Sequence, residues 1–225
     1  MLENNSRKST FRSSVNLKPE PDLLARSFFD RDPRAVAREL LGKLVVRREG
    51  RKTIAGRIVE VEAYMGAGDL AAHAAAGRTA RNQVLWGPPG HAYVYFIYGM
   101  YYCLNISCLP KGVAGCVLIR ALEPVAGLEE MAQARHLKDL HIQSLSDMRK
   151  LTSGPGRLCQ AFSITRRRDN GKNMVSLRSD LQVLDDCFYA GKIKVTRRVG
   201  IAKSTELPLR YVLEGNQFVS TKVVK

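Results

Sequence analysis

Between positions 43 and 122 the chain passes through one extended segment after another, and no amphipathic helix separates them. Residues 43–47 and 53–64 flank the turn Glu49-Gly50-Arg51. A loop rich in Gly and Pro at 65–90 then leads to strand-like sequence at 92–106 and again at 114–122. Doubly wound folds need strand and helix in regular alternation, whereas clustered strands with helices gathered elsewhere predict an α+β fold. Asp32-Pro33 supplies an N-cap followed by Pro at the first helical position, and Gly42 supplies a stop, so a helix of about three turns precedes the first strands. Further helices are expected from Glu123-Pro124 to about Arg135, around 147–151, and from Ser153-Gly-Pro-Gly-Arg157 through Phe162. Short strands near 181–184, 192–199 and 209–213 complete the sheet. No internal repeat or linker divides the 225 residues, so a single compact domain is expected over 23–225.

Residues 1–22 are polar and Ser-rich and cannot bury enough apolar surface to offset their ordering entropy, so a disordered basic tail is expected there. The whole chain is basic: 36 Lys and Arg against 21 Asp and Glu give a formal charge of +15. Such an excess speaks about partners, with nucleic acid first and an anionic membrane second. No apolar run approaches the roughly 18 residues that a membrane span requires, and the N-terminus lacks the apolar core of a secretory signal. The five cysteines are odd in number and form no CxxC pair, which points to a reducing cytoplasm. No phosphate-binding loop, HExxH or deaminase signature is present, and no metal or cofactor is expected.

Tyr93, Tyr95, Tyr98, Tyr101 and Tyr102 fall within ten residues. Flat rings beside a basic surface suit the stacking of an unpaired base, although tyrosine also favours strands and any one of them can be plain core. In 53–64 the period of two turns Val59, Val61 and Ala63 one way and Glu60, Glu62 and Tyr64 the other. Two carboxylates and a phenol thus share one strand face. A strand glutamate is usually a solvated charge, and composition does not separate Glu62 from Glu60 as a candidate acid/base. His73 sits alone in a small-residue loop, where a structural hydrogen bond is the commoner role. Arg166-Arg167-Arg168 and Arg197-Arg198 read equally well as phosphate contacts or as a solvated face.

Six blocks in fixed order carry a resemblance: Ile58-Val-Glu-Val-Glu-Ala-Tyr64, Arg78-Thr-Ala-Arg-Asn82, Gly90-His-Ala-Tyr-Val-Tyr-Phe-Ile-Tyr-Gly-Met100, Cys103-Leu-Asn105, Leu118-Ile-Arg-Ala-Leu-Glu-Pro124 and Ser153-Gly-Pro-Gly-Arg-Leu-Cys159. From about Leu24 onward the chain resembles the alkyladenine (3-methyladenine) DNA glycosylase family. The resemblance implies a curved antiparallel sheet with flanking helices in one domain, and no metal or cofactor. It implies that Glu62 is the general base that activates water against the sugar C1′, with Arg120 and the backbone of Val199 helping to hold that water. Tyr64, His73 and Tyr95 match the pocket that sandwiches a flipped purine, and Asn105 matches the residue that crowds the 2-amino group of guanine. Tyr98 matches the side chain inserted into the vacated stack, with Met100 and Tyr101 beside it. Arg78, Thr79, Arg81, Arg157 and Arg197 are assigned to the surface that faces DNA. Ala80 departs from a usual Pro, Leu85-Trp86 from a Met-Phe-like pair, and 136–144 has no counterpart.

A carboxylate that both takes a proton from water and faces developing charge on deoxyribose fits hydrolysis of an N-glycosidic bond. No Lys shares the Glu62 face, so a monofunctional enzyme leaving an abasic site is expected, acting as a monomer on duplex DNA with damaged purines of the 3-methyladenine, hypoxanthine and ethenoadenine class. The competing reading is a noncatalytic nucleic-acid-binding module that stacks bases on its tyrosines; it gives Glu62, Asn105 and Arg120 no joint purpose.

Overall fold

The computed structural model describes residues 21–137, 142 and 144–221. In chain order the elements are β1 (Asp22–Leu23), α1 (Arg26–Phe29), α2 (Pro33–Leu40), β2 (Leu44–Glu49), β3 (Lys52–Tyr64), β4 (Ala92–Ile97), β5 (Tyr101–Ser107), β6 (Cys116–Ala126), α3 (Leu128–Ala134), α4 (Leu145–Thr152), α5 (Pro155–Ala161), α6 (Arg166–Asp169), β7 (Leu181–Asp185), β8 (Ile193–Thr196) and β9 (Arg210–Leu213). All strand pairings are antiparallel, in the order β1-β7-β2-β3-β6-β5-β4, and the sheet curls into a half-barrel. This is the α+β architecture expected from the clustering of strands. The basic tail lies outside the described residues except for its last two, of which Asp22 pairs with Asp185. No helix among the described residues is long and apolar enough to cross a membrane.

The central strand, β3, organises everything else. β6 runs along one edge of it. The other edge is shared: β2 covers it as far as Arg57, and β9 takes over at Glu60–Glu62. Irregular register against β6 between Ile58 and Val61 bends the strand where the partners change. The alternation still holds beyond the bend. Val59, Val61 and Ala63 enter the main core with Phe29, Leu40, Leu104, Ile119 and Phe162. The opposite face is also covered, so Glu60 and Glu62 are both wholly buried and neither is the solvated charge that a strand glutamate usually is. α2 forms as its signals dictate: the Asp32 carboxylate accepts from the Arg34 backbone N–H at 2.8 Å, and Val36, Ala37 and Leu40 are buried.

Two local expectations are corrected. Glu123-Pro124 does not open a helix; β6 continues through it to Ala126. β5 pairs with β6 only at Cys116–Leu118, so Pro124 has β3 alone as neighbour, an edge position of the kind where sheets accommodate proline. The helix starts after Gly127 instead, at φ +73°, where an added Cβ would sit 2.7 Å from the Thr53 carbonyl oxygen. Residues 92–106 are likewise two strands, folded back at Tyr98-Gly99-Met100 into a hairpin in which Ile97 faces Tyr101.

Candidate active site

Glu60 and Glu62 leave β3 on the same side and meet Arg120 from β6. Arg120 Nε donates to Glu60 Oε1 at 3.0 Å, and its Nη1 lies 3.2 Å from Glu62 Oε1. Beyond this the two carboxylates differ. Glu60 also accepts from Arg210 Nε at 2.7 Å and from the Ser220 N–H at 2.6 Å, so two cations and an amide hold it. Glu62 Oε1 accepts from the Val199 N–H at 2.7 Å, and Oε2 accepts from the Tyr64 hydroxyl at 3.0 Å. The Val199 carbonyl in turn accepts from Arg120 at 3.4 Å. Burial pushes the Glu62 carboxyl above the ordinary value of 4.5, against the opposing pull of Arg120, the Val199 N–H and the Tyr64 hydroxyl. The same burial, reinforced by Glu62, drives the Tyr64 phenol strongly upward, so it stays a donor.

A cleft of about 620 Å³ opens beside this network. Its wall includes Tyr64, Arg120 and Val199, the three groups that hold the Glu62 carboxylate, and it continues through His73, Tyr93, Tyr95, Tyr98 and Asn105. The His73 and Tyr95 rings stand edge to face at 4.4 Å, and His73 Nδ1 lies 2.9 Å from the Tyr93 hydroxyl. Burial, with Arg81 nearby, holds the His73 imidazole below its usual value, so it is neutral at pH 7. Asn105 is buried at the back, with Nδ2 donating to the Tyr93 carbonyl at 3.2 Å. The region is apolar enough for a flat ring and wide enough for one heterocycle, with polar groups at defined points, as small-molecule sites generally are.

Tyr98 stands at the hairpin tip, 79% exposed, with φ +51°. A bulky side chain in the left-handed region is costly and persists where the surroundings impose it. Met100 is exposed beside it. Tyr101 packs on α5, where a Cβ added to Gly156 would come 2.8 Å from its ring. Met100, Tyr101, Arg78, Thr79, Arg81, Arg157 and Arg197 do not form the cleft wall. Of these, Arg78, Thr79, Arg81, Arg157 and Arg197 are exposed, and Arg81 lies over the Tyr95 ring at 5.9 Å. Leu85, at one of the departures from the family pattern, is a buried wall residue.

Three functional groups were not singled out in the sequence. Asn82 stitches the 73–82 loop: Oδ1 accepts from the Thr79 N–H at 2.7 Å, and Nδ2 donates to the His73 and Gly77 carbonyls. Arg198, read as part of a charge run, is buried; its Nη1 and Nη2 lie 2.6 and 2.7 Å from Asp69, and it covers the Tyr64 ring at 4.6 Å. Burial raises the Asp69 carboxyl, but the bonds from Arg198 and two backbone N–H groups outweigh it and the net shift is downward. An acidic residue in a Gly/Ala loop is the only sequence signal for that pair.

Residues 27–217 match the family model described as methylpurine-DNA glycosylase. A curated relative from Koribacter versatilis (strain Ellin345) is 61% identical over 199 residues, which is 88% of this chain and 93% of the relative. Relatives from Methanoculleus marisnigri (strain ATCC 35101 / DSM 1498 / JR1) and Alkaliphilus oremlandii (strain OhILAs) are 47% and 41% identical over 204 and 203 residues, in each case 88% of this chain and 99% of the relative. All three bear the name "Putative 3-methyladenine DNA glycosylase". With nearly the whole described chain matched, this protein belongs to the methylpurine-DNA glycosylase family, repair enzymes that hydrolyse N-glycosidic bonds.

Proposed function

We propose that the protein excises alkylated or deaminated purines from duplex DNA by flipping the nucleotide into the cleft and activating water with Glu62. The observation that carries this reading is that all three groups bonded to the buried Glu62 carboxylate form the wall of an aromatic cleft. Water held against Glu62, Arg120 and the Val199 backbone attacks C1′. The C1′–N bond breaks with its electron pair leaving on the purine, and the water proton passes to Glu62. The carboxylate also faces the positive charge that grows on the sugar. Tyr64, His73 and Tyr95 receive the base, and the neutral imidazole adds no repulsion to a lesion that is already cationic. Flipping costs a few kcal/mol, and stacking returns about 1–3 kcal/mol per base.

Tyr98, held out at the hairpin tip, fills the gap left in the duplex, while Arg78, Arg81, Arg157 and Arg197 meet phosphates and Thr79, Met100 and Tyr101 line the approach. Lys203 reaches the cleft rim but is exposed, whereas Schiff-base chemistry relies on a desolvated amine. The product is therefore a plain abasic site. The deciding experiment incubates the protein with duplexes containing hypoxanthine or ethenoadenine. Strand breaks that appear only after alkali support the reading, breaks without alkali point to lyase chemistry, and no abasic sites at all overturn it.

Two further outcomes are expected. Tyr98→Ala weakens lesion-duplex binding about tenfold in competition titrations, with undamaged duplex changed less than about twofold; equal losses on both would remove Tyr98 from the wedge role. On 7-methylguanine DNA, whose base already carries its charge, the excision rate depends on ionised Glu62 alone. Because that carboxyl is raised, the rate climbs with pH through a midpoint above 4.5. A single-turnover profile flat from pH 4.5 to 7 would contradict this.

A further inference from the structure

Cys116 opens β6 and is buried against the cleft without a part in the chemistry above. In the β5–β6 register it faces Ser107, while Asn105 faces Leu118. Asn105 and Cys116 are therefore diagonal neighbours on one sheet face, close enough to touch. Cys116 Sγ donates to Asn105 Oδ1 at 3.8 Å, and Asn105 Nδ2 donates to the Tyr93 carbonyl at 3.2 Å. Turning the amide over would set Oδ1 against the Tyr93 carbonyl oxygen and the NH2 group against the thiol. The first pair would be two acceptors facing each other, and the second would exchange the S–H donor bond for an NH2 group against a weakly accepting sulfur.

We propose that Cys116 is a positioning residue that locks the Asn105 amide with its remaining N–H available to the cleft, and so sets the discrimination against purines bearing a 2-amino group. The inference rests on the excision reading above and goes beyond it: it concerns why the amide has one orientation. Guanine differs from hypoxanthine only by that amino group, itself a donor. An amide fixed with a donor outward meets it donor to donor, whereas hypoxanthine presents a C–H there. Polar groups fixed in this way separate substrates more sharply than apolar fit does. Burial pushes the Cys116 thiol up to about 12, so it keeps the proton that this bond requires. Cys116 is 5% exposed and sits in the cleft wall beside Asn105, so the double variant below is what separates its hold on the amide from a direct change of the wall.

The test compares single-turnover excision of hypoxanthine and of 7-methylguanine, which carries the 2-amino group, from otherwise identical duplexes. Cys116→Ala is expected to lower the hypoxanthine to 7-methylguanine rate ratio about three- to tenfold, the scale of one hydrogen bond. Cys116→Ser keeps a donor and is expected to restore most of the native ratio. Because the readout is a ratio within one variant, loss of folded protein cancels. In an Asn105→Ala background, Cys116→Ala is expected to leave the ratio unchanged. Equal slowing on both bases, or a shift that persists without Asn105, would overturn the assignment and leave Cys116 as packing. A native protein that releases neither base would instead bring down the excision reading, which the native control shows separately.

Discussion

Glu62→Gln is expected to reduce single-turnover base release at least about 100-fold, the usual scale for loss of a general base, while lesion-duplex binding stays within about twofold. The separation follows from the local geometry. A Gln carbonyl oxygen at Oε1 still accepts from the Val199 N–H, and the amide NH2 can donate to the Tyr64 hydroxyl oxygen where the carboxylate accepted. Arg120 keeps Glu60 as its partner at 3.0 Å, so removing one charge does not strand a buried cation. The cleft wall therefore survives, and only the proton acceptor is lost. Excision within about tenfold of native would place the base elsewhere, with Glu60 the nearest carboxylate.

Asp69→Ala carries the largest expected cost in stability. Its carboxylate accepts two bonds from Arg198 and two more from the Met65 and Ala71 N–H groups. Truncation leaves a buried guanidinium without its counter-charge and two loop amides without partners, for which about 3–5 kcal/mol is the expected loss. Denaturant unfolding checks this directly. A loss below about 1 kcal/mol would mean that Arg198 finds solvent or the Ser204 carbonyl in place of Asp69. Asp69→Asn retains part of the acceptor set and is expected to fall between native and Ala. Since Arg198 also donates to the Ala63 carbonyl at 3.1 Å and precedes Val199, the weakened protein is expected to lose catalysis before it loses its fold.

The sequence carried the face that matters but not its use. Period-two alternation put Glu60, Glu62 and Tyr64 together, and they are together. What separates the two glutamates arrives from far along the chain: Arg210 and Ser220 lie 150 and 160 residues beyond Glu60. Nothing local to β3 encodes which carboxylate is neutralised and which is left beside the cleft. Arg198 was legible as charge but not as a buried clamp, because its partner is 129 residues away. Pro124 misled in the opposite direction: its local preference for a helix start yielded to an edge position that only the sheet defines. Five of the six ordered blocks contribute residues to the cleft wall, so resemblance reached contacts that spacing alone could not.

One hairpin joins the tip at Tyr98 to the amide at Asn105 through an unbroken ladder, braced by the Phe96–Tyr102 ring pair at 5.0 Å. From Tyr101 at the start of β5 to Asn105 the strand advances four residues, roughly 14 Å at about 3.4 Å each. On the proposed reading, the side chain that enters the duplex and the amide that screens the extruded base are thus mounted on a single stiff strut. Penetration depth and inspection would then be mechanically coupled, and a length change in β4–β5 is expected to throw both out of alignment together.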